Sequence, residues 1–236
     1  MKLSIIIPAY NEAPTIAELV RQVRSVNLPD GLEREIVVVD DCSTDETKNI
    51  LQTINDAEVR LCFKDKNEGK GSAVRLGLQQ ATGDIILLQD ADLEYDPAEY
   101  PKLLAPILSQ RADVVFGSRF VGSEAKRVLF FWHYLGNRFL TALSNALTNL
   151  SLTDIETGYK VFSRPVVDSL KDKLTAKRFG IEPELVARVA KGKWRLYEIG
   201  ISYYGRTYAE GKKVGWRDGL AAIWFIVKYN IFTGRK

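Results

Sequence analysis

Asp90, Asp92, Glu94 and Asp96 place four acidic groups within seven residues. They follow Ile85-Ile86-Leu87-Leu88, an aliphatic run of the kind that forms a strand buried on both faces in a parallel sheet. Asp90 and Asp92 are two positions apart, so in an extended backbone both carboxylates project the same way. Two like charges at the end of a buried strand repel unless a positive charge sits between them. A hard divalent cation meets that need, and Mg²⁺ or Mn²⁺ carrying substrate phosphates is the usual partner of such a pair. Glu94 is a candidate third ligand. Asp96, just before Pro97, reads instead as the cap of the next helix. An isolated Asp-x-Asp also suits an acidic surface turn, so the metal reading depends on what the rest of the chain brings to this point.

The elements that must position these groups follow from periodicity. Residues 3–8, 35–41, 59–63 and 113–119 read as further strands. Between them, Ile16, Leu19, Val20 and Val23 make a helical stripe, and Ser43 with Glu46 forms a capping-box pattern for a helix to about residue 54. Residues 72–81 and 97–109 are also predicted helices. Strands and helices alternating through short loops predict an α/β fold, with a mainly parallel sheet flanked by helices. Ligands of such sheets bind beyond the carboxyl ends of the strands. Glu12, Asp40, Asp41, Lys70, Asp90, Asp92 and Arg119 all fall there.

After residue 120 the chain changes character. Residues 127–150 carry Phe130, Phe131, Trp132, Tyr134, Phe139, Leu140, Leu143 and Leu147 and predict one or two amphipathic helices. Residues 154–162 run from a polar loop into a short strand. Helices are expected at 164–170 and 185–190, and a strand at 194–199 continuing into 201–204. Residues 205–215 hold Gly205, Arg206, Gly211, Lys212, Lys213 and Gly215, a cationic loop suited to closing over phosphate. A helix with Trp224, Phe225, Val227, Ile231 and Phe232 is expected at 216–232.

The totals bound the class. The 236 residues suffice for one sizeable domain, or one with an appendage, and 46% hydrophobic with 27% charged residues is ordinary globular composition. A net charge of +3 is too mild to point to nucleic acid. Cys42 and Cys62 match no metal or redox spacing, which makes a reducing cytoplasm the expectation. The first eight residues read as a strand, not a signal peptide. No stretch reaches the roughly 18 apolar residues of a spanning helix. The chain is expected to lie in water or on a membrane surface.

Four stretches taken in order resemble the signatures of family 2 inverting glycosyltransferases with the GT-A fold. They are Ile5-Ile6-Ile7-Pro8-Ala9-Tyr10-Asn11-Glu12, Val38-Val39-Asp40-Asp41-Cys42-Ser43-Thr44-Asp45, Asn67-Glu68-Gly69-Lys70-Gly71 and Asp90-Ala91-Asp92. Gly117-Ser118-Arg119, residues 154–162, and Tyr204-Gly205-Arg206 with Gly211-Lys212 are similar to the dolichyl-phosphate mannose synthase branch and its polyprenyl-phosphate relatives. The likeness runs through nearly the whole chain. It implies one GT-A domain over 1–215, with a nucleotide-sugar half at 1–120 and an acceptor half at 121–215. An amphipathic helix would follow at 216–236.

The resemblance also implies roles. Pro8, Tyr10 and Glu12 would line the nucleoside pocket, with Asp40 accepting a hydrogen bond from the base. Lys70 and Ala91 would belong to the donor site. Asp90 and Asp92 would hold Mg²⁺ or Mn²⁺ on the diphosphate. Relatives often carry Gln where this chain has Glu94. Arg119, Arg138, Arg206 and Lys212 would gather the acceptor phosphate, and Arg119 and Arg206 join Asp90 and Asp92 as the catalytic set. The implied reaction moves mannose or glucose from GDP-mannose or UDP-glucose to a polyprenyl phosphate with inversion. A phosphate oxygen is already anionic, so no base is required. A sugar-hydroxyl acceptor would require one, with Glu156 or Asp154 as candidates.

A lipid acceptor implies a peripheral enzyme on the cytoplasmic face of a membrane, or one docked on an integral partner. The aromatic helices near Lys126, Arg127, Arg138, Lys228, Arg235 and Lys236 have the composition of interfacial helices. The alternatives are a soluble family 2 enzyme acting on a saccharide hydroxyl, and a non-catalytic nucleotide-sugar-binding protein. A nucleotidyltransferase would need a glycine-rich basic loop after the first strand, where Pro8-Ala9-Tyr10-Asn11-Glu12 stands instead.

Overall fold

The computed structural model describes residues 1–29, 31–128, 130–207 and 216–233. The first half winds β1 (Lys2–Ala9), α1 (Ile16–Ser25), β2 (Glu33–Asp40), α2 (Thr47–Gln52), β3 (Val59–Phe63), α3 (Lys70–Gln80) and β4 (Ile85–Leu88). A 3₁₀ turn (Pro97–Glu99) leads to α4 (Tyr100–Leu108) and β5 (Val114–Ser118). Then come α5 (Phe131–Thr148), β6 (Lys160–Ser163), α6 (Arg164–Leu170), α7 (Ile181–Lys191), β7 (Leu196–Gly200) and α8 (Trp216–Val227), which runs into a π-helical turn at Lys228–Phe232.

The strands form one sheet in the order β3-β2-β1-β4-β6-β5-β7. β6 runs antiparallel to both β4 and β5, and the other pairs are parallel. The parallel strands therefore aim their carboxyl ends at one edge, and β6 aims its amino end there. Both faces are covered. Leu3, Ile5 and Ile7 of β1 face Ile16, Leu19, Val20 and Val23 of α1 and Leu103, Leu104 and Ile107 of α4. Ile6 points the other way, into a core shared with Ala73, Val74 and Leu78 of α3 and Leu185 and Val186 of α7. This period-2 division of an all-aliphatic strand is what a doubly covered parallel sheet requires. Each fully buried aliphatic side chain contributes roughly 1.5–3 kcal/mol.

Several predicted boundaries move. The capping box does not form: Ser43 Oγ donates to Asp40 Oδ1 at 2.5 Å, and the helix begins at Thr47, whose amide donates to Asp45 Oδ1. The pairing with Asp40 wins because the loop turns back onto the end of β2. α7 begins at Ile181, four residues before the predicted start at 185. Pro183 is tolerated there because a first-turn amide has no intrahelical partner to lose. Residues 131–148 form one helix, and Asp96 does cap the turn after it, accepting from the Ala98 amide at 2.9 Å.

β4 carries the acidic motif, so its placement matters most. Glu35 of β2 accepts from Ser4 Oγ at 2.5 Å and from the amide and hydroxyl of Thr82 at 2.9 and 3.0 Å. Ser4 Oγ in turn accepts from the Gly83 amide at 2.8 Å. One buried carboxylate thus ties the turn before β4 to β1 and β2. Burial works against the Glu35 charge, but the bonds from Ser4 and Thr82 and the nearby Lys2 ammonium hold its carboxyl below the usual range. Glu35→Ala is expected to lower stability in urea unfolding by about 1–3 kcal/mol, because partners are left buried without an acceptor. A depressed carboxyl contributes above its unfolded pKa. The gap between wild type and variant should therefore be full at neutral pH and close as pH falls from the ordinary 4.5 toward the folded value.

Candidate active site

Gln89 follows β4 and is fully buried. Its amide donates to Ile6 O, and its Oε1 accepts from Tyr100 OH and Tyr159 OH, both at 2.8 Å. This clamp fixes the backbone from which Asp90 and Asp92 project. Asp90 Oδ1 lies 2.6 Å from Lys70 Nζ, which is also 2.7 Å from Glu182 Oε1 at the start of α7. Burial opposes the Lys70 charge, yet Asp90 and Glu182 hold its pKa well above the usual value. Gly158 covers the other side of Asp90: a Cβ there would lie 2.3 Å from Asp90 Oδ2.

Lys70 reaches this position because the loop before it is fixed. Asp41 accepts from the Gly69 amide at 2.5 Å and the Glu68 amide at 3.2 Å, and it pairs with Lys64. Gly69 takes φ +92, and a Cβ there would stand 2.7 Å from Lys177 O, so glycine is required on both counts. Asp41, predicted only as an edge carboxylate, is a brace for the loop carrying Lys70.

Arg206 lies among three carboxylates, Asp92 and Glu94 from the stretch after β4 and Glu12 from the loop after β1. NH2 is 3.4 Å from Asp92, NH1 is 3.7 Å from Glu12, and Nε is 3.5 Å from Glu94. The backbone amide of Arg206 donates to Glu94 Oε1 at 2.8 Å, and Tyr203 OH donates to Glu94 Oε2 at 2.7 Å. Burial, then the charges of Asp90 and Glu94, push the Asp92 carboxyl up to about 7 against the pull of Arg206. Among the described residues no group of three His, Cys, Asp or Glu side chains is arranged to hold a metal. Glu94, expected as a third ligand, accepts one hydrogen bond at each oxygen, from Tyr203 and from the Arg206 amide. Asp90 and Asp92 remain a hard-oxygen pair of the kind that binds Mg²⁺ or Mn²⁺ together with substrate phosphates.

The nucleoside-pocket candidates share one wall. Pro8 and Ala9 end β1, Tyr10 is 38% exposed, and Asp40 is buried at the end of β2. The two loops are stitched together: the Asn11 amide donates to Ser43 Oγ, the Thr44 amide to Asn11 Oδ1, and the Glu12 amide to Thr47 Oγ1. Thr15 Oγ1 donates to Ala91 O at 2.8 Å, which ties this wall to the aspartates. The carboxylate of Glu12 faces Arg206.

Arg119 is placed differently from expectation. Its Nε and NH2 bind Asp154 at 2.7 and 2.8 Å, and its guanidinium lies 5.1 Å from the Tyr203 ring and 5.4 Å from Phe120. Burial disfavours the Asp154 charge, but Arg119 outweighs it and keeps the carboxyl below its usual range. Two of the Arg119 guanidinium nitrogens are thus committed to Asp154, which balances its charge. Arg138 is exposed on α5, and no described contact ties it to this cluster. Lys212 lies outside the described residues.

Four buried side-chain atoms near these residues lack a hydrogen-bond partner: Glu156 Oε1, Thr157 Oγ1, Glu182 Oε2 and Arg206 Nε. Burial and the Glu182 charge push the Glu156 carboxyl up to about 7. Burial pulls Lys160 down to about 8 against the attraction of Glu182. Satisfied interiors rarely leave such a concentration of orphaned groups, and functional sites do.

The sequence description of glycosyl transferase family 2 matches residues 4–171. The chain belongs to this family. It is 32% identical over 219 residues to a dolichol-phosphate mannosyltransferase of Pyrococcus furiosus, covering 91% of this chain and 60% of that protein. It is 31% identical to a low-salt glycan biosynthesis hexosyltransferase of Haloferax volcanii, covering 91% of this chain and 51% of that one. The chain thus spans a little over half the length of these relatives. Its fold is that of Mycobacterium tuberculosis glucosyl-3-phosphoglycerate synthase, with a TM-score of 0.73 at 22% identity over 97% of this chain and 80% of the other. That enzyme has been crystallised with Mn²⁺, UDP-glucose and phosphoglyceric acid.

Family 2 signatures pointed to Asp90, Asp92 and Lys70. Gln89, Gly158, Lys160 and Glu182 were missed as site residues. Glu182 stood in the sequence as Gly180-Ile181-Glu182-Pro183, but nothing in its spacing links it to Lys70, 112 positions earlier. Asp154→Asn would leave Arg119 buried without its counter-charge. A loss of roughly 3–5 kcal/mol is expected. Adding Arg119→Met to that variant should recover part of the loss in a double-mutant cycle read by chemical denaturation.

Proposed function

We propose that this chain transfers a hexose, with inversion, from a nucleotide-sugar donor to a polyprenyl phosphate, using Mg²⁺ or Mn²⁺. The observation that carries the reading is the Asp90–Asp92 pair at the carboxyl edge of the sheet, set against Lys70 and Arg206 and flanked by two exposed aromatic helices. Similarity to a dolichol-phosphate mannosyltransferase supports the acceptor class. GDP-mannose and UDP-glucose are the candidate donors.

Pro8, Tyr10 and Asp40 form the wall on which the nucleoside is expected to sit, and Glu12 extends it toward Asp92. Asp90 and Asp92 would hold the divalent cation on the diphosphate, which stabilises the leaving nucleoside diphosphate as charge develops. Lys70 sits against Asp90 and within reach of the same phosphates. Arg206, with Lys212, is the candidate for the acceptor phosphate. Arg119 acts as a positioning residue, packing on Tyr203, which holds Glu94. An anionic phosphate acceptor needs orientation and electrostatic support more than proton removal.

The flanking helices suit an acceptor that lives in a bilayer. Of α5, only Leu140, Thr141 and Ser144 are buried, while Trp132 is 75% exposed beside Phe131 and Phe139. α8 adds Leu220 and Trp224, and Ile231 and Phe232 follow. Phe120 of the loop after β5 packs edge-on against Tyr134 of α5, and Arg127 binds Gly205 O. Phe225 of α8 covers Gly180, next to the start of α7. The aromatic face thus adjoins the segments that carry Arg206 and Glu182. No described helix is long and apolar enough to cross a membrane. A peripheral position on the cytoplasmic face, alone or on an integral partner, fits this surface.

One observation favours a second reading. Glu156 is poised near neutral pH with an unpaired oxygen, as a general base for a saccharide hydroxyl would be. Asp154 is unsuited to that task, being held ionised by Arg119.

Purified protein with Mn²⁺ and GDP-mannose, UDP-glucose or UDP-N-acetylglucosamine is expected to form an organic-extractable lipid-linked hexose from polyprenyl phosphate. Glu156→Gln should leave that rate within about threefold, since no base is asked of it; losses of about 10²-fold or more would mark it as a base. Transfer only to a free saccharide would replace the first reading with the second. Trp132→Glu with Trp224→Glu is expected to abolish sedimentation with anionic vesicles and raise the apparent KM for the lipid, with nucleotide affinity unchanged.

A further inference from the structure

Two arginines at this site differ in how they are held. Arg119 makes committed bonds to one carboxylate at 2.7 and 2.8 Å. Arg206 approaches Asp92, Glu12 and Glu94 at 3.4, 3.7 and 3.5 Å and makes a close bond to none of the three. Its Nε is buried without a hydrogen-bond partner. Charge-assisted bonds that are fully formed are shorter, near 2.7–2.9 Å. The backbone of Arg206 is nonetheless anchored, its amide donating to Glu94 Oε1 at 2.8 Å. The residue is thus fixed at its root, while its guanidinium is shared loosely among negative charges.

We infer that Arg206 is a resident cation of the carboxylate cluster that a divalent metal displaces from Asp92, and that its release delivers the guanidinium to the acceptor phosphate. This rests on the reading that Asp90 and Asp92 take a divalent cation.

The energetics follow from charge. The carboxylates of Glu12, Asp92 and Glu94 converge on one small volume, where their repulsion is unfavourable unless a cation lies among them. Arg206 supplies that cation while the metal is absent. A divalent cation at Asp92 would compete with Arg206 for the charge of that carboxylate and repel the guanidinium 3.4 Å from its Oδ2, so Arg206 opposes binding of the metal alone. Once displaced, the guanidinium remains tethered at Glu94 and can turn to a new anion. An acceptor phosphate that captures Arg206 therefore removes the competitor for Asp92 and tightens the metal. By linkage the metal tightens the phosphate to the same degree. Lys70 has no such freedom, being held at 2.6 and 2.7 Å between Asp90 and Glu182. The consequence is an enzyme whose acceptor phosphate and metal help each other to bind, with Arg206 as the coupling element.

The test is Mn²⁺ binding by electron paramagnetic resonance and by thermal shift, with no turnover involved. Arg206→Met is expected to bind Mn²⁺ alone about fivefold or more tightly than wild type. It should also gain a larger increase in Tm from saturating Mn²⁺. Arg206→Lys should fall between the two. Farnesyl phosphate should tighten Mn²⁺ binding to wild type and leave Arg206→Met unchanged. Circular dichroism before melting confirms that each variant is folded. Equal or weaker Mn²⁺ binding by folded Arg206→Met, with wild type binding normally, overturns this inference and leaves the proposed function standing. Absence of Mn²⁺ binding by wild type, with or without a nucleoside diphosphate, removes both.

Discussion

Carboxylates crowded at the carboxyl edge of a buried sheet require compensating charge, and the site is arranged around that requirement. Asp90, Asp92 and Glu94 from the stretch after β4, with Glu12, Asp154 and Glu182 from three other segments, crowd this edge, and the described structure answers them with Lys70, Arg206 and Arg119. Each cation depends on a neutral or buried brace. Asp41 fixes the loop that aims Lys70, Gln89 fixes the backbone beneath Asp90, and Tyr203 and Glu94 fix the root of Arg206. Removing Asp41 or Gln89 would therefore disturb Lys70 or Asp90 through the backbone that carries them.

The reversal of β6 is the topological step that completes the edge. A parallel strand in that slot would have sent its preceding loop to the far end of the sheet. Running antiparallel, with Leu88 opposite Lys160 and Ile85 opposite Ser163, β6 brings residues 154–159 between the ends of β4 and β5. That delivers Asp154 to Arg119 and Gly158 to Asp90. Later segments then close the site: α7 brings Glu182, and the stretch after β7 brings Arg206. Both lie beyond residues 4–171, where the family description matches. α7 also packs against α5 and α8, so on the proposed reading the segment that carries Glu182 borders the lipid-facing surface.

The two arginines show how geometry divides residues of the same type into different roles. Arg119, desolvated and bound through two nitrogens to a fully buried carboxylate, is part of the scaffold. Arg206, sharing its charge at longer range, is able to change partner. Arginine suits both roles because its guanidinium stays charged and offers several donors in one plane.

The local pattern of the chain determined a great deal. The all-aliphatic runs at 5–7, 36–39 and 85–88 could only be satisfied by strands covered on both sides. Their alternation with helical stripes dictated a mainly parallel α/β sheet. The same order placed Asp40, Lys70, Asp90 and Asp92 at its carboxyl edge, because strand direction follows from connection length. Only the tertiary structure decided which charges meet. The pairs Lys70–Glu182, Arg119–Asp154 and Arg206–Asp92 join positions far apart in sequence, and no periodicity carries that information. The same holds for Glu94, whose two oxygens meet Tyr203 and the Arg206 amide, partners more than 100 positions away. Spacing along one strand fixes the direction in which a side chain leaves the backbone. The partner it finds depends on how the loops of other strands pack over the same edge.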